Sequence, residues 1–214
     1  MAGPGPHRRR HIERLPALAS ALAVVLTGAI IVPLYKLGPL STHMALHIVV
    51  MNVLAPLAAI GASHAKPVSQ KGGTALWAAT VLQLAILWFW HLPAAQHLAA
   101  TSAGVAAMHV SLFAAAFGFW ACLLSLSPDY RWHGVLALLV TGKLACLLAG
   151  LLVFSPRAFY KNGHVAQTAL LDDQHLAGLL MLVACPLSFV LAGVVLTARI
   201  LNLSRGNPPR VPAA

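Results

Sequence analysis

Charge is what this sequence has least of: only 8% of its 214 residues are Asp, Glu, Lys or Arg. Soluble domains carry about 25%, so the chain cannot coat a water-facing globule. Acidic residues are scarcest, four against fourteen Lys and Arg. That excludes an oxygen-rich cage for calcium or magnesium, and neither a carboxylate pair for acid–base work nor a nucleophile–base pair stands out, so no enzyme is expected. The cysteines are three, Cys122, Cys146 and Cys185, with no C-x-x-C spacing. A disulfide scaffold and a thioredoxin-type redox motif are excluded with them. What remains is apolar: 59% of the residues are hydrophobic and the mean hydropathy is +0.81. The formal charge of +10 would suggest nucleic acid in a soluble protein. Here the basic residues lie between apolar runs, so the partner they imply is the lipid bilayer.

A membrane helix needs about 20 mostly apolar residues, and six stretches qualify: 16–35, 40–62, 75–92, 103–127, 133–155 and 175–201. Unbroken runs of this length exclude a β-barrel, whose strands alternate apolar and polar. The sequence therefore predicts an all-α, polytopic membrane bundle of about six helices. A basic tail covers 1–15, the bundle 16–201, and a disordered tail 202–214, with 156–174 as the longest connector. The run 15–35 is too long for the core of a secretory signal, and no small-x-small site follows it. It reads as an uncleaved anchor.

Lys and Arg set the orientation. With the N-terminus cytoplasmic, the inner segments hold Arg8, Arg9, Arg10, Arg14, Lys66, Lys71, Arg131, Arg199, Arg205 and Arg210. The outer segments hold only Lys36, Arg157 and Lys161, and Lys143 falls within a span. Both termini are then cytoplasmic, as in a bacterial inner-membrane protein.

Eleven histidines are the informative polar residues. On this topology His43, His47, His91, His97, His109, His164 and His175 lie toward the outer face, and His7, His11, His64 and His133 toward the inner one. His43 and His47, four apart, share a helix face, and a further step of four reaches Met51. Gln174, Gly178, Met181 and Cys185 make a comparable stripe on the last span. Met44 and Met108 add thioethers beside His43 and His109. Imidazole with thioether suits copper, and thioether favours Cu(I). Polar groups collected from four spans at one depth are costly in a membrane and tend to be functional there. For each residue alone, an idle interfacial histidine or a packing methionine is the plainer reading.

Other features carry less. Asp172 and Asp173 precede the sixth span, where they suit an N-cap or a carboxylate that orients a liganding imidazole. Gly142 and Gly150 suggest close packing around Lys143, with its amine on a neighbouring carbonyl. Met51-x-Val53-x-x-Pro56-Leu57 is echoed by Met181-x-Val183-x-x-Pro186-Leu187, and each proline frees the carbonyl four residues earlier, at Asn52 and Leu182. Trp88, Phe89 and Trp90 form an aromatic belt at the outer interface.

Four segments in order resemble the CtaG family of caa3-type cytochrome c oxidase assembly proteins. They are Thr42-His43-Met44-x-x-His47 with Ala55-Pro56-Leu57, Trp88-x-Trp90-His91-x-Pro93, Met108-His109-x-Ser111-Leu112-Phe113 ending at Phe119-Trp120, and Asp173-Gln174-x-x-Ala177-Gly178-x-x-Met181. The resemblance spans about 40–195. It departs from the family in having six spans without an extra one, and Met108 where an acidic residue is common. It implies an integral inner-membrane chaperone that matures the oxidase by helping copper reach it, and it points to His43, Met44, His47, His91, His109, Asp173, Gln174 and Met181.

The expected site is therefore an outward-facing copper centre with His43, His47, His91 and His109 as ligands, softened by Met44 and Met181. Asp173, Gln174 and His175 would orient ligands or contact the client. Expected partners are the oxidase subunits and periplasmic copper chaperones. Two rivals stand beside this reading: a haem- or quinone-binding electron-transfer protein, and a metal-free scaffold for oxidase subunits.

Overall fold

In lipid no water is available to backbone amides, so a spanning segment must satisfy them within itself. The computed structural model obeys this throughout the residues it describes, 37–65, 73–99, 101–160 and 166–206, which are helical with short connections. The chain divides into two units, Met1–Gly38 and Pro39–Ala214, and the second is described here. The expected first span, 16–35, and most of both expected tails lie outside the described residues.

The helices run α1 (Pro39–Val49), a π-helical turn (Val50–Leu54), α2 (Ala55–Ala65), α3 (Thr74–His91), α4 (Pro93–Leu98), α5 (Ser102–Leu124), a 3-10 turn (Pro128–Tyr130), α6 (Arg131–Phe154) and α7 (Gln167–Gly206). Five segments are long and apolar enough to cross a bilayer: Pro39–Ser63, Thr74–His91, Ser102–Leu124, Pro128–Phe154 and Gln167–Leu201. They match the last five expected spans to within a few residues at most ends. The exception is the last, which begins at Gln167, so much of the expected connector 156–174 is helix. Asp172 and Asp173 consequently sit inside α7 and not at its N-cap.

Each break in the helices has a local cause. A residue before proline is held extended, and Leu92, before Pro93, has φ −69° and ψ 136°. That ends α3 at His91. Thr101 caps α5 by accepting the Gly104 N–H at 3.0 Å.

Pro56 acts less directly. The N–H of Ala55 reaches Val50 O, a π-type bond five residues back. In that register Pro56, which has no N–H, would have served Met51, so the freed carbonyl is Met51's and not Asn52's. Trp120 Nε1 on α5 donates to it at 3.3 Å. Pro186 lies within α7, which continues as helix through it.

Helices α6 and α7 pack along each other, and α7 also packs on α1, α5 on α2 and α3, and α3 on α6. The core is filled by Phe119, Trp120, Leu112, Leu138 and Phe189 among small residues such as Ala55, Ala116, Ala137, Ala149 and Ala177. Trp120 stacks on Phe189 with 9° between ring planes. Small residues let membrane helices approach closely, and between α6 and α7 Gly178 meets backbone. A Cβ there would lie 2.8 Å from Val153 Cγ2 and 3.0 Å from its backbone nitrogen. At Gly142 and Gly150, where the sequence suggests such packing, a Cβ would meet only ordinary contacts at 3.8 Å or beyond. Lys143 is exposed on an α6–α7 groove with Cys146 and Pro186. No described carbonyl takes its amine. The outward faces carry Val81, Val110, Phe154 and Val183, each more than 60% exposed, as lipid contact requires.

Trp120→Phe keeps the ring stack but strands the Met51 carbonyl. It should lower stability by about 1–3 kcal/mol, read from unfolding in detergent micelles. Adding Pro56→Ala, which supplies an N–H at that turn, should recover part of the loss, and the double-mutant cycle measures the coupling.

Candidate metal centre

Three helices bring four imidazoles to the end of the bundle where α1 begins. Helix α1 carries His43, Met44 and His47 on adjoining turns, α3 ends on His91, and α5 presents His109 two turns from its start. His47 and His91 are buried, at 4% and 7% exposure, and His43 and His109 are half-buried. Ring centroids stand 4.3 Å apart for His43 and His47, 5.1 Å for His47 and His109, 5.8 Å for His43 and His109, and 6.0 Å for His47 and His91. One nitrogen each from His43, His47 and His109 falls within 4.8 Å of the others. Such a cluster can hold a metal ion.

Hydrogen bonding decides which nitrogens are free. A carbonyl oxygen only accepts, so His91 Nδ1, 2.7 Å from Leu87 O, carries a proton and donates it. His109 Nδ1 does the same to Val105 O at 2.8 Å. Each ring is thereby fixed in the tautomer with a bare Nε2. Metal-binding histidines commonly use their second nitrogen in this way. His91 Nε2 faces the Met44 sulfur at 3.3 Å, two lone pairs with no proton between them. His109 Nε2 is buried with no partner. His43 Nε2 and His47 Nε2 lie 2.8 Å apart and share one proton, while His47 Nδ1 is buried and unmatched. The donor set is neutral and rich in lone pairs.

The remaining expected residues are placed differently. Met181, 3% exposed, lines a small cavity that Met44, His47 and His91 also line; it is not among the three clustered rings. Met108 is wholly buried in the apolar core. Asp173 touches no imidazole. Its carboxylate accepts the Leu40 N–H at 2.8 Å, the Ser41 N–H at 3.1 Å and the Ser41 hydroxyl. It therefore caps the first turn of α1 from α7, where a negative charge also suits the helix dipole.

Gln174 is fully buried. It accepts the Phe159 N–H at 2.7 Å and donates to the carbonyls of Leu152 and Arg157. Every hydrogen-bonding atom of its side chain is used, which anchors the 155–160 connection. His175 Nε2 donates to Ser155 O at 3.3 Å. His97 is exposed on α4, and His164 lies outside the described residues.

Sequence reasoning missed several parts. Tyr160 donates to the His91 carbonyl at 2.9 Å, and burial pushes its phenol up to about 12, so the donor persists across physiological pH. Ser41 receives the Asp173 clasp; a serine just inside a helix start was its signal. Gln83, the one amide in α3, is 1% exposed with neither amide atom partnered.

The match with known proteins agrees with this geometry. The family model of the cytochrome c oxidase caa3 assembly factor covers residues 3–202. The chain belongs to that family. No curated protein and no solved structure matches it. In this assembly factor the four motif segments meet at one end of the bundle: two supply imidazoles through α1 and α3, the third supplies His109, and the fourth supplies the clasp on α1.

Asp173→Ala leaves the Leu40 and Ser41 amides without partners, while the Ser41 hydroxyl keeps the backbone carbonyl of residue 173 at 3.0 Å. Loss of a cap costs about 0.5–2 kcal/mol, and hydrogen exchange at Leu40 and Ser41 should accelerate by roughly tenfold or more, about 1.4 kcal/mol per decade. Asp173→Asn should fall between the two.

Proposed function

We propose that this assembly factor carries copper as Cu(I) in transit to cytochrome c oxidase. His43, His47, His91 and His109 hold the ion, and Met44, whose sulfur stands against His91 Nε2, softens the site. The observation that carries the reading is the set of lone pairs left without a proton: His109 Nε2 alone, and His91 Nε2 against the Met44 sulfur. A bare nitrogen in an apolar bundle costs free energy, and a soft cation relieves several such costs together.

Copper here is cargo. It arrives, exchanges ligands and leaves, with no covalent bond of the client broken. The excess of Lys and Arg in the segments assigned to the cytoplasm supports an inner-membrane setting with the cluster facing the periplasm, where copper chaperones and the oxidase can reach it. Asp173 acts by holding α1, so that its two histidines keep their register against His91 and His109. The rival haem reading is disfavoured by space: the cavity that His47 and His91 line is about 20 Å³, far too small for a porphyrin.

Replacing His43 and His47 together by Ala should weaken Cu(I) binding to the purified protein by at least tenfold and lower oxidase activity in cells in parallel. Unchanged copper with lost oxidase activity would favour the metal-free scaffold. Unchanged values for both would end the copper reading. An intense Soret band in the purified protein would favour haem.

A further inference from the structure

A cavity of about 20 Å³ adjoins the imidazole cluster, lined by His47 and His91 and, beyond Met44, by Met51, Gln83, Met181 and Cys185. One water needs about 10–15 Å³, so the cavity admits a single atom-sized guest. Met51, Gln83, Met181 and Cys185 are each at most 8% exposed. Gln83 is the anomaly. Its oxygen and nitrogen are both buried without a partner, in a setting where an unpaired amide is costly and lipid offers no substitute.

We propose that this cavity is a second, inner site for Cu(I), bound by the sulfurs of Met51, Met181 and Cys185 with the Gln83 oxygen completing the set. The proposal rests on the copper reading of the imidazole cluster. Water, with the Gln83 amide and the Asn52 and Thr141 side chains as partners, is the competing occupant, and copper titration separates the two. The same sulfurs are good ligands for Cu(I). No carboxylate lines the cavity, so a hard divalent ion is not served.

Depth supports a sequential arrangement. Met51 lies one helical turn, about 6 Å, beyond His47. Met44 touches His91 Nε2 and also lines the cavity, so it can accompany an ion from one site to the other. The repeated Met-x-Val-x-x-Pro segments thus deliver Met51 and Met181 to one cavity. On binding, the Cys185 S–H bond breaks as the Cu–S bond forms. The thiol proton leaves past the His47 and His91 nitrogens that line the same cavity, no electron moves, and copper stays monovalent.

The test is anaerobic titration of the full-length protein in detergent with Cu(I) against a chromogenic chelator, together with X-ray absorption at the copper edge. The wild type should take two ions. H43A/H47A should keep one, with sulfur dominating its coordination. M181L/C185S should also keep one, with nitrogen dominating. Gln83→Leu and Met181→Leu, each close to the original volume and mild for the fold, should each weaken the sulfur-rich site by at least tenfold and leave the other unchanged.

If M181L/C185S and Gln83→Leu match the wild type in stoichiometry and spectrum, while H43A/H47A loses copper, the inner site is refuted and the outer reading stands. If H43A/H47A alone matches the wild type, the outer reading fails and the sulfur site must be judged on its own variants. If all match, both fall.

Discussion

A polar atom surrounded by hydrocarbon must find a partner inside the protein, and the architecture follows from where those partners come from. The Asp173 carboxylate spends its acceptors on the first turn of α1, so α7 fixes the helix that carries His43, Met44, His47 and Met51. Gln174, next in sequence, ties the 155–160 connection to α7, and Tyr160 ties that connection to the end of α3. Three side chains thus bind the elements around the imidazoles into one frame. Among the described residues the exceptions are few. His47, His109 and Gln83 leave buried atoms unmatched at or near the cluster, and His133 does so elsewhere, its ring packed against Trp132. Three of the four exceptions therefore gather in one region, which is where a guest would repay them.

Proline supplies the second layer of control. Pro93 stops α3 so that His91 is its last residue, with Nδ1 turned to Leu87 O and Nε2 to Met44. Pro56 shifts the preceding turn to π register, which places an extra residue in the second span just beyond Met51. Such turns occur frequently at functional sites. Here the cost of the missing N–H is met by Trp120, itself locked by its stack on Phe189. The aromatic core and the approach to the cavity are therefore one mechanical unit.

Much of this was legible in the sequence, for a definite reason. Long apolar runs locate spans because lipid permits so few alternatives, and i, i+4 spacing puts His43 and His47 on one face whatever the packing. That His91 and His109 converge on them could be argued only from depth and from the family motif. Packing was less legible. Gly142 and Gly150 were as plausible as Gly178 for a close approach, and only the position of Val153 separates them. Asp173 was misassigned to its own helix because a cap between helices has no local signature. The carbonyls of Leu87 and Val105, which fix two tautomers, are backbone atoms and leave no mark on residue type.

On the copper reading, charge explains how the ion can be let go. In a medium of low dielectric a carboxylate close to a cation contributes a large attraction, and a site built on one would retain its ion. Asp173 is committed to the amides of α1, and the donors at the cluster are neutral nitrogens and sulfurs. On the copper reading, a monovalent ion is then held by ligand softness and geometry alone. Each bond can be exchanged singly for one from a client, and no separated charge pair has to be opened inside the membrane. Moving an acidic residue into the cluster would be expected to tighten binding and impair delivery together. That is the opposite of what a storage protein would gain from it.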